Sequence, residues 1–231
     1  MTEEQNLIQW VYSSKNEQEL GERYDQWASS YEKDLIGDFG WYGPPLSVTA
    51  AAKYVPKDSR ILDAGAGTGL VGQLLNEHGY HNLVAMDLSE GMLDQARKKN
   101  VYGEFQQMVM GESLGFPTDS FDAALSVGVL TVGHAPASSL NELVRVVRPG
   151  GHIIFTLRPD LYEDGGFKEV QTALESEGKW KLVEMGDPMQ ALPKGEPDVL
   201  HQVWVYEVTS WLRLRGDDTM TKNVKDSHEA F

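Results

Sequence analysis

The chain has 231 residues, 41% of them hydrophobic and 10% aromatic, enough for one domain with a sizeable core and an appendage. Its formal net charge of −15 speaks against a nucleic-acid partner and against docking on an anionic membrane, because both require clustered lysine and arginine. The absence of cysteine excludes disulfides, thiolate metal sites and a cysteine nucleophile, and no apolar run reaches membrane-spanning length, so a soluble, cytoplasmic protein is expected.

Residues 3–14 are compatible with a short helix. In a second, Leu20, Tyr24, Trp27, Tyr31 and Leu35 fall four, three, four and four apart, which puts them on one helical face. Gly37, Gly40 and Pro44-Pro45 interrupt it, and Pro45 opens a helix to about Tyr54. From residue 60 short apolar runs alternate with amphipathic segments. Strands are predicted at 60–63, 82–87, 104–110, 121–127 and 152–157, and helices at 69–78, 89–99 with Ser89 as N-cap, and 139–147. Ser139 and Glu142 have capping-box spacing, and Arg148-Pro149-Gly150-Gly151 makes the turn that follows.

A further helix is predicted over 160–177 and a strand over 180–185. Pro188, Pro193, Gly195 and Pro197 leave no room for a crossover helix, so the last strand, 203–208, must pair antiparallel with its predecessor. The expected fold is α/β: a doubly wound, mostly parallel seven-stranded sheet with an antiparallel C-terminal strand pair. Residues 1–58 would form helices covering a cleft, 59–212 the core, and 213–231 a disordered tail.

The chemistry is concentrated in Asp63-Ala64-Gly65-Ala66-Gly67-Thr68-Gly69, between the first strand and the next helix. Glycines there let backbone N–H groups approach a ligand beside a helix N-terminus. Two cofactors compete. Gly67-Thr68-Gly69-Leu70-Val71-Gly72 matches the dinucleotide pattern G-x-G-x-x-G, and Asp87 follows Gly67 by twenty residues, as an NAD ribose carboxylate should. Against NAD stand the intervening Asp63, Gly65 and Ala66, the antiparallel strand pair, and the lack of a second segment long enough for a substrate domain. An acid at the strand end suits an ammonium group better than a pyrophosphate.

With Asp87 ending the second strand, Ser120-Phe121-Asp122 opening the fourth and Arg148-Pro149-Gly150-Gly151 before the fifth, the chain resembles the class I S-adenosylmethionine-dependent methyltransferases over about residues 20–210. Tyr24-Asp25-x-Trp27-Ala28-x-x-Tyr31-Glu32 and Gly91-Met92-Leu93-x-Gln95-Ala96 resemble a narrower group, typified by the methyltransferase-like protein of the Williams–Beuren region.

The resemblance implies S-adenosyl-L-methionine as cofactor and S-adenosyl-L-homocysteine as product. Asp63 would face the ammonium group, Gly65, Ala66, Gly67, Thr68 and Gly69 would border the methionine portion, Asp87 would accept from both ribose hydroxyls, and Leu88 and Met92 would pack on adenine. The family often has an Asp for the adenine amino group where this chain has Met110; Gly111, Glu112 and Ser113 are the substitutes to consider. Ser126, Val127 and Gly128 would lie beside the transferring methyl. Trp27 and Tyr31 would belong to a lid, although ordinary helix packing explains them equally well.

His134 and Tyr42 are the candidate general bases, and Trp41 and Trp204 candidate walls for an aromatic substrate. No metal site is expected: His78 and His81, the only close histidine pair, flank a turn at Gly79. A small-molecule acceptor, neutral or cationic, is the leading expectation. The alternatives are a non-catalytic module that binds the cofactor or its product, and an NAD-dependent oxidoreductase.

Overall fold

A computed structural model describes residues 7–209. The expected tail, 213–231, and residues 3–6 of the first helix lie outside them.

The sheet is built from β1 (Arg60–Ala64), β2 (Asn82–Asp87), β3 (Glu104–Gln107), β4 (Phe121–Ser126), β5 (Val147–Leu157), β6 (Trp180–Met185), β7 (Met189–Gln190) and β8 (Leu200–Val208). Its order is β3-β2-β1-β4-β5-β8-β6, with the two-residue β7 attached to β8. β1 to β5 are parallel, whereas β8 runs antiparallel between β5 and β6. The expected seven-stranded architecture is therefore present, with β7 as an addition. β1 and β4 lie side by side although two strands separate them in the chain. Such a reversal of winding opens a crevice at the carboxyl ends of the strands.

Helices α3 (Gly43–Tyr54), α4 (Leu70–Glu77) and α5 (Glu90–Lys98) are joined by α6 (Ser139–Val146), α7 (Pro159–Asp164) and α8 (Phe167–Ser176). They bury two apolar layers, one around Ile61, Leu83, Leu93 and Leu125 and the other around Leu62, Phe121, Leu143 and Phe155. Continuous apolar strands are what a sheet covered on both faces requires.

Four local expectations change within the core. The helix expected at 160–177 breaks at Gly165-Gly166, where Gly166 adopts φ +78°. Ser139 does not cap α6: Ser138 precedes it, the Ser139 hydroxyl is buried without a partner, and Glu142 instead accepts from Leu114 N–H and pairs with Arg145. Residues 148–151 are an irregularity inside β5, between the Phe121–Val147 and Ala123–His152 pairings, rather than a turn before it. β3 is shorter than expected, ending at Gln107.

A third cluster lies over the crevice. It contains α1 (Leu7–Tyr12) and α2 (Glu17–Trp27), and the predicted long second helix is broken beyond Trp27 into a turn and a π-helical segment, Lys33–Asp38. Ile8, Val11, Leu20, Trp27, Leu35 and Leu192 bury one another there. Among the described residues no helix is long and apolar enough to cross a membrane, and no group of histidine and carboxylate side chains could hold a metal ion.

Candidate functional site

The loop after β1 turns back on β2: Gly65 and Ala66 N–H both donate to Met86 C=O, at 2.7 and 2.9 Å. Gly65, Gly67 and Gly69 hold φ of +86°, +53° and +87°, backbone geometry that side chains disfavour. A β-carbon at Gly65 would overlap the Val129 side chain, so this position also needs glycine for space. Asp87 closes the other side. Its Oδ2 accepts from Gly67 N–H at 2.8 Å and its Oδ1 from Ser89 N–H at 2.9 Å, which fixes both carboxylate oxygens beside the loop. Burial pushes its pKa up to about 6, against the lowering effect of these amide bonds.

A single cleft brings together Gly65, Ala66, Gly67, Thr68, Asp87, Leu88, Met92, Val127, Gly128 and His134 with Tyr31. Other expected residues stand elsewhere. Trp27 is 4% exposed, packs in the covering cluster and donates from Nε1 to Asp34. Gly69 packs against Ala96 and Tyr102, and Ser126 is sealed in the sheet. Gly111, Glu112 and Ser113 are exposed outside the cleft, whereas Met108, Val109 and Met110 line it. The adenine end expected there is thus apolar, and Glu112 does not stand in for the missing acid. Met108, Val109 and Glu17 of α2 carried no motif that spacing could reveal, and the helical spacing that includes Leu20 pointed to packing and not to the cleft.

Asp63 lies behind the loop at 1% exposure rather than on the cleft wall. Its Oδ2 accepts from Tyr102 O–H at 2.5 Å, and its Oδ1 is buried without a partner. Burial pushes its pKa up to about 7, the Tyr102 bond opposing and Asp87 adding to the rise. The Tyr102 hydroxyl also accepts from Gly72 N–H at 3.0 Å, and a β-carbon at Gly72 would overlap the Tyr102 ring. The third glycine of the apparent dinucleotide pattern therefore makes room for the tyrosine that anchors Asp63.

Neither candidate base is presented as one. Tyr42 is 58% exposed and off the cleft, held through its backbone N–H on Ala191 C=O. His134 lines the cleft, but Nδ1 is 2.8 Å from Val132 C=O and Nε2 is 2.6 Å from the Tyr24 hydroxyl. With Nδ1 donating to the carbonyl, Nε2 accepts from Tyr24, and burial holds the imidazole pKa below its ordinary value. Trp41 lines the cleft over Gly128, whose absent β-carbon leaves space for the indole. Trp204 is instead a core residue on Phe155 and Tyr162.

Tyr24 and Tyr31 both reach the cleft from the covering segment and meet edge to face, centroids 6.2 Å apart. Asp25, between them, fastens that segment to the core. Its Oδ1 accepts from Ser89 O–H at 2.5 Å and Gly91 N–H at 2.8 Å, while Ser89 Oγ accepts from Met92 N–H and caps α5. A β-carbon at Gly91 would stand 2.9 Å from that carboxylate oxygen. The two short motifs at 24–32 and 91–96 therefore meet in one contact.

Residues 62–155 match a methyltransferase domain model. Methyltransferase-like protein 27 of Homo sapiens is 36% identical over 166 residues, 68% of this chain and 66% of that protein. Demethylmenaquinone methyltransferase of Clavibacter sepedonicus is 34% identical over 149 residues, 61% of this chain and 58% of that protein. The chain thus spans 66% and 58% of the lengths of these two curated relatives, under two thirds of either. Among solved structures, the [4+2]-cyclase SpnF superposes with a TM-score of 0.65 at 15% identity, covering 85% of this chain and 98% of that one, which shows a shared fold and leaves chemistry open. The methyltransferase domain match, the methyltransferase-like relative and the order β3-β2-β1-β4-β5-β8-β6 agree: the chain belongs to the class I S-adenosylmethionine-dependent methyltransferases.

Proposed function

We propose that the protein transfers a methyl group from S-adenosylmethionine to a small-molecule acceptor. The observation that carries the cofactor half is the buried carboxylate pair behind and beside a glycine loop, one oxygen of which, Asp63 Oδ1, has no partner. Two acids with raised pKa values beside a site suit a ligand that brings an ammonium group and hydroxyl donors. Asp87 would hold the ribose hydroxyls, Asp63 would lend its negative charge to the ammonium group from behind the loop without touching it, and Leu88, Met92 and Met110 would pack on the adenine. When bound, the cofactor supplies a methyl group already activated on sulfur.

What the chain adds is alignment and exclusion of water. Tyr31 and Tyr24 cover the cleft, and burial raises both phenol pKa values, so they remain neutral donors. His134, with both nitrogens engaged, is a positioning group for Tyr24 in this reading and not a free base.

Relatives' names range from demethylmenaquinone methyltransferase to 18S rRNA (guanine(1575)-N(7))-methyltransferase of Saccharomyces cerevisiae, so likeness does not choose the acceptor class. The net charge of −15 favours a small neutral or cationic molecule over RNA. Incubation with methyl-labelled cofactor and a metabolite extract should put label into the small-molecule fraction. Label in RNA or protein would refute that acceptor class, and no label at all would leave a cofactor-binding module.

Two further outcomes are expected. An Asp25→Ala variant loses the carboxylate that joins α2 to α5, and S-adenosylhomocysteine should dissociate several-fold faster from it. Because Asp25 is exposed, the stability cost should stay near 1 kcal/mol. Stopped-flow displacement checks this, and an unchanged off-rate would remove Asp25 from lid closure.

The second concerns protons. Folded pKa values of about 7 and about 6 for Asp63 and Asp87 stand above the ordinary 3.8. The stability they contribute to the empty protein is present at low pH and lost as pH rises towards those values. A ligand that brings a cation and hydroxyl donors favours the ionised forms, so binding should release protons and tighten between about pH 5 and 8. Calorimetry in buffers of different ionisation enthalpy measures the release; proton uptake would contradict the assignment.

A further inference from the structure

A second pocket, open to solvent and of about 440 Å³, is lined by Gln9, Tyr12, Val132, Arg158, Glu196 and Val199. It adjoins the cofactor cleft through one layer of side chains: Tyr12 meets the His134 ring edge to face, centroids 5.4 Å apart, and His134 lines the cleft. Its volume is adequate for a small organic molecule.

The chemistry of its wall is uneven. Glu196 is 7% exposed; its Oε1 accepts from Gln9 Nε2 at 3.1 Å, and its Oε2 is buried with no well-formed hydrogen bond, the Tyr12 hydroxyl facing the carboxylate. Arg158, on the same wall, holds Asp160 with both Nε and Nη2, at 3.0 and 2.6 Å, and its charge also acts on Glu196. Burial also raises the Glu196 carboxyl pKa, with Arg158, Gln9 and Tyr12 opposing. A carboxylate oxygen left unpaired at this depth costs free energy that an incoming donor would recover. A carboxylate ligand would meet Glu196 itself and an arginine already paired.

We infer that this cavity recognises a small amine, its ammonium group paired with Glu196 and its apolar body on Val132 and Val199. Resting on the methyl-transfer reading, the cavity would hold the amine-bearing end of the acceptor and leave the remainder to reach the cleft past His134. Amine binding itself does not depend on that reading.

The test uses three probes that differ only in the polar group: 2-phenylethylamine, 2-phenylethanol and phenylacetate. Each is titrated by NMR into the wild-type protein and Glu196→Gln, with and without S-adenosylhomocysteine. The amine should bind at least tenfold tighter than the alcohol and the acid, and E196Q should erase that preference while keeping its affinity for S-adenosylmethionine. The wild-type order alone decides if E196Q does not fold. Equal binding of the three, preference for the acid, no binding, or an amine preference that survives in E196Q would overturn the inference. Loss of S-adenosylmethionine binding by the wild-type protein would instead overturn the methyltransferase reading, and the titrations without the nucleoside would still decide the amine.

Discussion

Replacing Asp87 with alanine is expected to weaken S-adenosylmethionine and S-adenosylhomocysteine alike, by about 1–3 kcal/mol, roughly 5- to 150-fold. The two ligands share the ribose, so their affinities should fall together, whereas loss of a contact to the methyl or carboxylate end would separate them. The carboxylate also accepts from Gly67 and Ser89 N–H, so part of the loss would come from a loosened loop. Asp87→Asn keeps an acceptor oxygen but loses the charge and should fall between alanine and wild type. Calorimetry reads the affinities and thermal unfolding separates the loop effect. Unchanged affinity in Asp87→Ala would remove this residue from ribose binding.

Gly72→Ala should cost more in stability than its single added carbon suggests. The new β-carbon would take space occupied by the Tyr102 ring. If Tyr102 moves, Asp63 loses the donor at 2.5 Å and becomes a buried carboxylate with no side-chain donor on either oxygen. Overpacking costs about 1–3 kcal/mol, and an orphaned buried polar group about 1–3 kcal/mol more. A total of about 2–6 kcal/mol is a large share of the 5–15 kcal/mol that holds a typical domain. Denaturant unfolding measures it. Adding Tyr102→Phe, which removes the hydroxyl but not the ring, should bring little further loss, because the alanine already breaks that bond. A Gly72→Ala protein as stable as wild type would mean that Tyr102 has room to move.

Much of this organisation was legible because it follows from periodicity and turn chemistry. Continuous apolar runs identified the central strands, and the prolines and glycine between 188 and 197 forced the antiparallel return of β8. Where the reading failed, a non-local contact decided the outcome. Ser139 had the spacing of a capping box, but Glu142 is drawn away by Arg145 and the Leu114 amide. Leu20 to Leu35 had helical spacing, yet the chain needs a break to lay Trp27 and Leu35 against Leu192, a residue far along the sequence.

The candidate site divides in the same way. Gly65, Gly67 and Asp87 announce themselves because only a few residue types serve those positions. Trp27 and Tyr31 share a helical period, and the sequence alone cannot say that one faces the core and the other the cleft. Gly72 was misleading, since it completes a dinucleotide pattern while making room for Tyr102. Glu196 lies in an irregular loop without any motif, and its importance comes from burial and an open oxygen.

The most direct test of the central claim is a calorimetric titration of the protein with S-adenosylmethionine, S-adenosylhomocysteine and NAD. Both adenosyl ligands should bind, with weaker binding in Asp87→Ala, and NAD should not. Binding of NAD alone would contradict the account, and would mean that the glycines from Gly67 to Gly72 serve a pyrophosphate after all.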